Sequence, residues 1–158
     1  MERLQRIMLG NGLLVILVSM LSGFMLMFNL LGGLEVWPGK IIPLPTYGTT
    51  DGWVRAHTGG ALNGVLVVIV ALALPKLNLT PFMQKFSAWG FIYIAWSFTV
   101  FYWLGNASSN RALSMGASPL GEPDLIGLIG FIPGLPSVFL VVFLLAVAAK
   151  GVFSSSGD

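Results

Sequence analysis

Four stretches of the chain read as nearly unbroken apolar runs, with most of the polar residues gathered between them. The runs cover about Met8 to Leu31, Asp51 to Leu74, Phe82 to Leu104 and Leu125 to Val152. Each approaches or exceeds the ~20 residues a helix needs to cross a bilayer. The first follows "MERLQR" but outruns the short apolar core of a signal peptide, and no small-residue cleavage site follows it, so it reads as a retained helix. Asp51, after Thr49 and Thr50, reads as the N-cap of the second helix, which Pro75 stops. Pro133 and Pro136 fall inside the fourth run and should kink it or leave its first turns irregular. The connectors "GKIIPLPTYGTTDG" and "GNASSNRALSMGASPLGEP" read as Pro, Gly and Ser loops long enough to fold over a site. The pattern predicts an all-α membrane protein: one domain over residues 1–158, with four transmembrane helices in a bundle.

Composition strengthens this picture. Of 158 residues, 56% are hydrophobic and 9% charged, against roughly 25% charged in soluble domains. The formal charge of +2 lacks the dense basic clusters that nucleic-acid binding requires, so no nucleic-acid partner is expected. Arg3, Arg6, Lys76, Lys85 and Lys150 share one side of a four-span chain. Lys40, Arg55 and Arg111 are offset on the other by Glu35, Asp51, Glu122 and Asp124. The positive-inside rule then places both termini in the cytoplasm, in a bacterial cytoplasmic (inner) membrane.

Candidate chemistry is confined by what is missing. There is no cysteine and a single histidine, which removes disulfides, thiolate ligands, cysteine nucleophiles and most zinc sites. A Ser-His-Asp triad could use only His57, and no nucleophile elbow lies near it. His57 stands in "RAHTGGALNG" at the mouth of the second run. Arg55 and His57 either mark a site or snorkel at the interface, pairing with Asp51 or Glu122. At about 100° per residue, Gly60, Ala61 and Gly64 share the face of His57. That face leaves room for a flat ligand such as a porphyrin bound through the imidazole, or makes a small-xxx-small helix contact. Asn63 lies about 240° from His57, so it is either interhelical glue or part of a different site in an oligomer. Tyr102, near the outer end of the third run, either reaches a ligand or joins Trp53 and Trp103 in an interfacial aromatic belt.

"GWVRAHTGGALNG" (residues 52–64), supported by "FYWLGNASSNR" (residues 101–111) and the order of four spans, resembles the styrene oxide isomerase family. The resemblance implies a homotrimer of four-helix subunits that binds haem b at subunit interfaces, with iron ligated by His57. Arg55, Gly60, Ala61 and Gly64 would line the cofactor. It also implies conversion of styrene oxide to phenylacetaldehyde, with Asn63 and Tyr102 as the polar groups near the substrate. The expected partners are a small apolar epoxide, membrane lipid and other copies of the chain. With one histidine and no thiolate, the sixth position of ferric iron is expected to be open and to act as a Lewis acid. A membrane electron carrier with His57 and a methionine on iron is the alternative, and a cofactor-free scaffold is a third reading.

Overall fold

A computed structural model of the protein describes residues 2–154. Four long helices dominate it: α1 (Arg3–Leu31), α2 (Thr50–Ala73), α3 (Pro81–Ala107) and α4 (Leu125–Phe153). Local chemistry sets their ends. Gly32 ends α1 in the left-handed conformation, at φ 67°, where a side chain would be strained. The cap of α2 is Thr49, whose hydroxyl accepts from the Gly52 N–H at 3.1 Å. Asp51 is therefore not the cap but a first-turn residue, where its charge suits the helix dipole. Pro75 falls in a single 3₁₀ turn, Leu74–Lys76, as α2 closes. Thr80 caps α3 with Pro81 at its first position, and the Asp124 carboxylate caps α4 through Gly127 N–H at 2.6 Å.

Beyond the Asp51 cap, one expectation needs correction, and of the kink or irregular first turns expected at Pro133 and Pro136 the second does not occur. The first connector is not all loop: β1 (Gly33–Trp37) and β2 (Lys40–Pro43) form an antiparallel hairpin. Its turn uses Gly39 at φ 78°, whose N–H donates to the Glu35 carboxylate at 2.7 Å. Nor are the first turns of α4 irregular, because the helix continues through Pro133 and Pro136. The missing proline N–H groups weaken the backbone ladder here. At this point the hydroxyls of Tyr93, Ser97 and Ser137 all donate to the Pro133 carbonyl, so α3 supplies polar contacts beside the prolines.

Helices α1 and α2 meet through residues too small to hold them apart. A Cβ on Gly12 would lie 2.9 Å from the Gly64 carbonyl oxygen, and one on Gly64 would lie 2.7 Å from that of Gly12. Such backbone contact is the small-residue packing of membrane helices. The buried core joins Met8 and Val15 of α1, Val67 and Val70 of α2, Phe91 and Ile94 of α3 and Leu144 of α4. Outside, Leu13, Leu17, Leu62, Ile69, Ile132 and Phe139 are exposed, an apolar exterior that suits lipid rather than water.

Among the described residues, three helical stretches are long and apolar enough to cross a membrane: Arg3–Leu31, Thr50–Lys76 and Leu125–Phe153. This is the build of an integral membrane protein. Helix α3 is as long, but it carries Trp89, Trp96, Trp103, Tyr93 and Tyr102 and buries Ser87, Ser97 and Thr99. Those groups lower its apolar content, and some of its polar side chains find partners on other helices: Trp96 Nε1 donates to Asn11 Oδ1 at 2.9 Å.

Candidate active site

His57 sits in the second turn of α2 and turns toward α1. Its Nδ1 lies 2.9 Å from the carbonyl oxygen of Ser19. A carbonyl only accepts, so in the neutral ring Nδ1 carries the proton and donates it. Nε2 is then left with its lone pair, the form in which imidazole ligates a metal. The Ser19 hydroxyl in turn donates to the His57 carbonyl, so the two residues bond reciprocally across the helix pair. Gly23 makes the space: a Cβ there would lie 2.8 Å from His57 Nδ1 and 2.9 Å from Cε1.

Gly60 and Gly64 continue along this face and are buried. A Cβ on Gly60 would meet Ser19 Cβ at 3.1 Å, and one on Gly64 would meet Ile16 Cγ1 at 2.5 Å. Within one chain α1 therefore fills the surface of these two glycines, which serve a helix contact there and leave no slot for a flat group. Ala61, beside them, is half-buried.

A second set of residues faces α3. The Tyr102 ring lies over Gly59, where a Cβ would be 2.8 Å from Cζ and 2.9 Å from the phenol oxygen. Two helical turns nearer the start of α2, the Asn106 side chain occupies the space above Gly52; its Oδ1 accepts from Thr49 N–H at 2.9 Å and from the Thr49 hydroxyl at 3.2 Å. A Cβ on Gly52 would collide with that oxygen. The two segments quoted in the sequence analysis thus dock on one another, glycine against side chain. Arg55, Tyr102, Asn106 and Arg111 border a cavity of about 130 Å³ between them. Asn63 follows Gly59 by four residues, about 40° around the helix and one turn along. Its Nδ2 is buried without a hydrogen-bond partner.

His57 and Gly59 are two residues apart and so point about 200° apart. Helix α2 therefore presents His57 on the side of α1 and the Tyr102–Asn63 pair on the side of α3. Neither Asp51 nor Glu122 forms an ion pair with Arg55 or His57 among the described residues.

The loop from α3 to α4 is built tightly. Arg111 and Ala112 adopt positive φ values of 60° and 56°, costly for residues with a Cβ. Buried Asn110 holds them: its Oδ1 accepts from Ala112 N–H and the Ser108 hydroxyl, and its Nδ2 donates to Ser114. The Asp124 carboxylate accepts from the N–H groups of Gly127 and Ser109 and from the hydroxyls of Ser108 and Ser109. Those bonds, Gly127 N–H foremost, hold its pKa down at about 2.

The family model for styrene oxide isomerase matches residues 4–153. The chain belongs to the styrene oxide isomerase family. A styrene-oxide isomerase of Pseudomonas fluorescens is 34% identical over 154 residues, covering 98% of this chain and 91% of the relative. The protein is accordingly an enzyme, an isomerase.

Membership in the styrene oxide isomerase family raises the question of whether these residues fit a haem. They fit on one point of chemistry: a single neutral imidazole, with Nδ1 anchored to a backbone carbonyl and Nε2 unprotonated, is the donor a haem iron takes. The sequence singles out His57, Asn63 and Tyr102 but not Ser19 and Gly23, which pack against the His57 ring. Their signal is faint, two small residues four apart in the apolar run "SMLSG".

Proposed function

We propose that the protein converts styrene oxide, or a closely related aryl epoxide, to the aldehyde (phenylacetaldehyde for styrene oxide) with haem b held at His57. The observation that carries this is the Nδ1–H donation to Ser19, which presents Nε2 as a ligand. Haem iron at Nε2 would supply a Lewis acid for the epoxide oxygen.

The rest follows from the chain's own side chains. The Tyr102 phenol and the Asn63 amide N–H groups hold the substrate oxygen and stabilise the negative charge it gains. The unpartnered state of Asn63 Nδ2 supports this, since a buried donor without an acceptor costs free energy that a ligand oxygen recovers. The benzylic C–O bond breaks, the ring stabilises the cation, and a hydride moves from the oxygen-bearing carbon to the benzylic carbon as C=O forms. No atom is gained or lost. Water must be kept from the reacting carbon, since it would trap the cation as a diol.

We further infer that α3 is the fourth span, that both termini are cytoplasmic in an inner membrane, and that three chains assemble. The opposed directions on α2 of His57 and of Gly59, the residue beneath the Tyr102 ring of α3, support assembly. A group ligated on the α1 side of one subunit meets a Tyr102–Asn63 pair only if another subunit provides it.

The test is an absorption spectrum of the detergent-purified protein before and after styrene oxide is added, with His57→Ala beside it. A haem band perturbed by the epoxide, lost with activity in His57→Ala, is expected. Unchanged haem content in the variant would refute ligation by His57. A tightly six-coordinate spectrum indifferent to epoxide, with no aldehyde formed, would point to electron transfer instead.

A further inference from the structure

The cavity between the start of α2 and the end of α3 is bordered by an unusual set of polar groups. They are Arg55, Arg111, Asn106 and Tyr102, together with Gly52, Phe101, Gly105 and Leu113. No carboxylate borders it. Asp51 has the four-residue spacing to Arg55 that favours a helical ion pair, yet neither arginine is paired among the described residues. Of the two acids of the adjoining loop, Glu122 is exposed and pairs with neither arginine among the described residues, and Asp124 is already occupied by two N–H groups and two hydroxyls.

What remains is a set rich in donors. The Asn106 oxygen is consumed by Thr49, while its Nδ2 is buried with no partner. The two guanidinium groups can only donate. Arg111 comes to the cavity on a left-handed backbone that the buried Asn110 network enforces. Two like charges beside one cavity repel, more strongly where lipid lowers the dielectric. Arg55 also lies toward the positive end of the α2 dipole, an unfavourable place for a cation. A ligand that only accepts and carries negative charge resolves all of these at once.

We propose that Arg55, Arg111 and the Asn106 amide form a binding site for an oxyanion, a phosphate or carboxylate group, at the end of the bundle where α2 begins and α3 ends. The site lies on the side of α2 away from the His57 ring, so it stands or falls independently of iron ligation. The oxyanion comes either from the headgroup of an anionic lipid lying against the bundle or from a free ion in the water.

Native mass spectrometry on the full-length protein, stripped of lipid in detergent, separates these sources. Phosphatidylglycerol, phosphatidylcholine and inorganic phosphate are each titrated against wild type, Arg55→Gln/Arg111→Gln and the charge-matched control Lys40→Gln/Lys85→Gln. Wild type and control are expected to retain one phosphatidylglycerol about tenfold more tightly than phosphatidylcholine, a margin suited to charge-assisted bonds. The arginine variant should lose that preference. Competition by inorganic phosphate, with an equal arginine dependence, assigns the site to a free ion; indifference to phosphate assigns it to the lipid. If the double variant does not fold, Arg111→Gln alone must weaken the preference. Equal retention in wild type and arginine variants, or equal loss in the lysine control, would overturn the proposal.

Discussion

Ser19 and Gly23 serve His57 in different ways, and substitution separates them. Ser19→Ala removes a hydroxyl but keeps the carbonyl that receives Nδ1–H, so haem content should fall little. Gly23→Ala places a methyl group 2.8 Å from Nδ1, too close for the ring to stay, and haem content and its absorption maximum should both change. Haem measured by pyridine haemochrome, with helicity checked by circular dichroism, distinguishes the two. Tyr102→Phe keeps the ring over Gly59 and removes only the donor. Turnover should drop about 10²–10³-fold, the usual effect of losing one preorganised donor, while haem content stays constant. His57, Asn63 and Tyr102 stand out as candidates in the sequence because ionisable or amide groups are conspicuous in apolar runs. Ser19 was not, because the atom that matters is a backbone oxygen every residue has. Gly23 was not, because what it contributes is space.

Among the elements, the loop between α3 and α4 hangs on Asp124. Its carboxylate pKa is lowered in the folded protein, to about 2, so the ionised form is the one folding favours. The stabilisation is therefore complete above the unfolded value, ~3.9, and is lost as pH falls from there through about 2. Asp124→Asn should lower the unfolding temperature at neutral pH, and the gap to wild type should close as pH drops from about 4 toward 2. A gap independent of pH would mean that packing, not charge, holds the loop. Between α2 and α3, Gly52→Ala must expel the Asn106 side chain from its cap. Overpacking of this kind costs about 1–3 kcal/mol, readable as a lowered denaturation midpoint. The helices themselves were legible, since long apolar runs leave few alternatives. The Gly33–Pro43 hairpin was not, because its short strands are mostly exposed and the second of them lies in a stretch whose Gly and Pro residues read as a loop. The unbroken α4 was hidden for another reason: the hydroxyls that meet Pro133 come partly from α3, distant in sequence.

At the scale of the whole molecule, the two faces of α2 predict complementation. Mixed assemblies of His57→Ala and Asn63→Ala subunits, each inactive alone, should regain some aldehyde formation, because some interfaces then combine an intact His57 with an intact Asn63. Confirmed mixing without recovery would place both residues at one subunit's site. A surface for a neighbouring subunit is not legible in the sequence, since an apolar surface facing lipid and one facing a neighbour are written in the same residues. The hydroxyls gathered on the Pro133 carbonyl also bear on how the chain is made. Helix α3 leaves the ribosome before α4, and until Pro133 follows, Tyr93 and Ser97 lack the acceptor they have in the finished fold. If α3 spans the bilayer, this helix, which falls short of the apolar content of the other three, should depend on α4 for its insertion. Chains halted after Gly121 should integrate α3 poorly in a microsomal insertion assay, and chains extended through α4 should integrate it well, so that the two enter the bilayer as a pair.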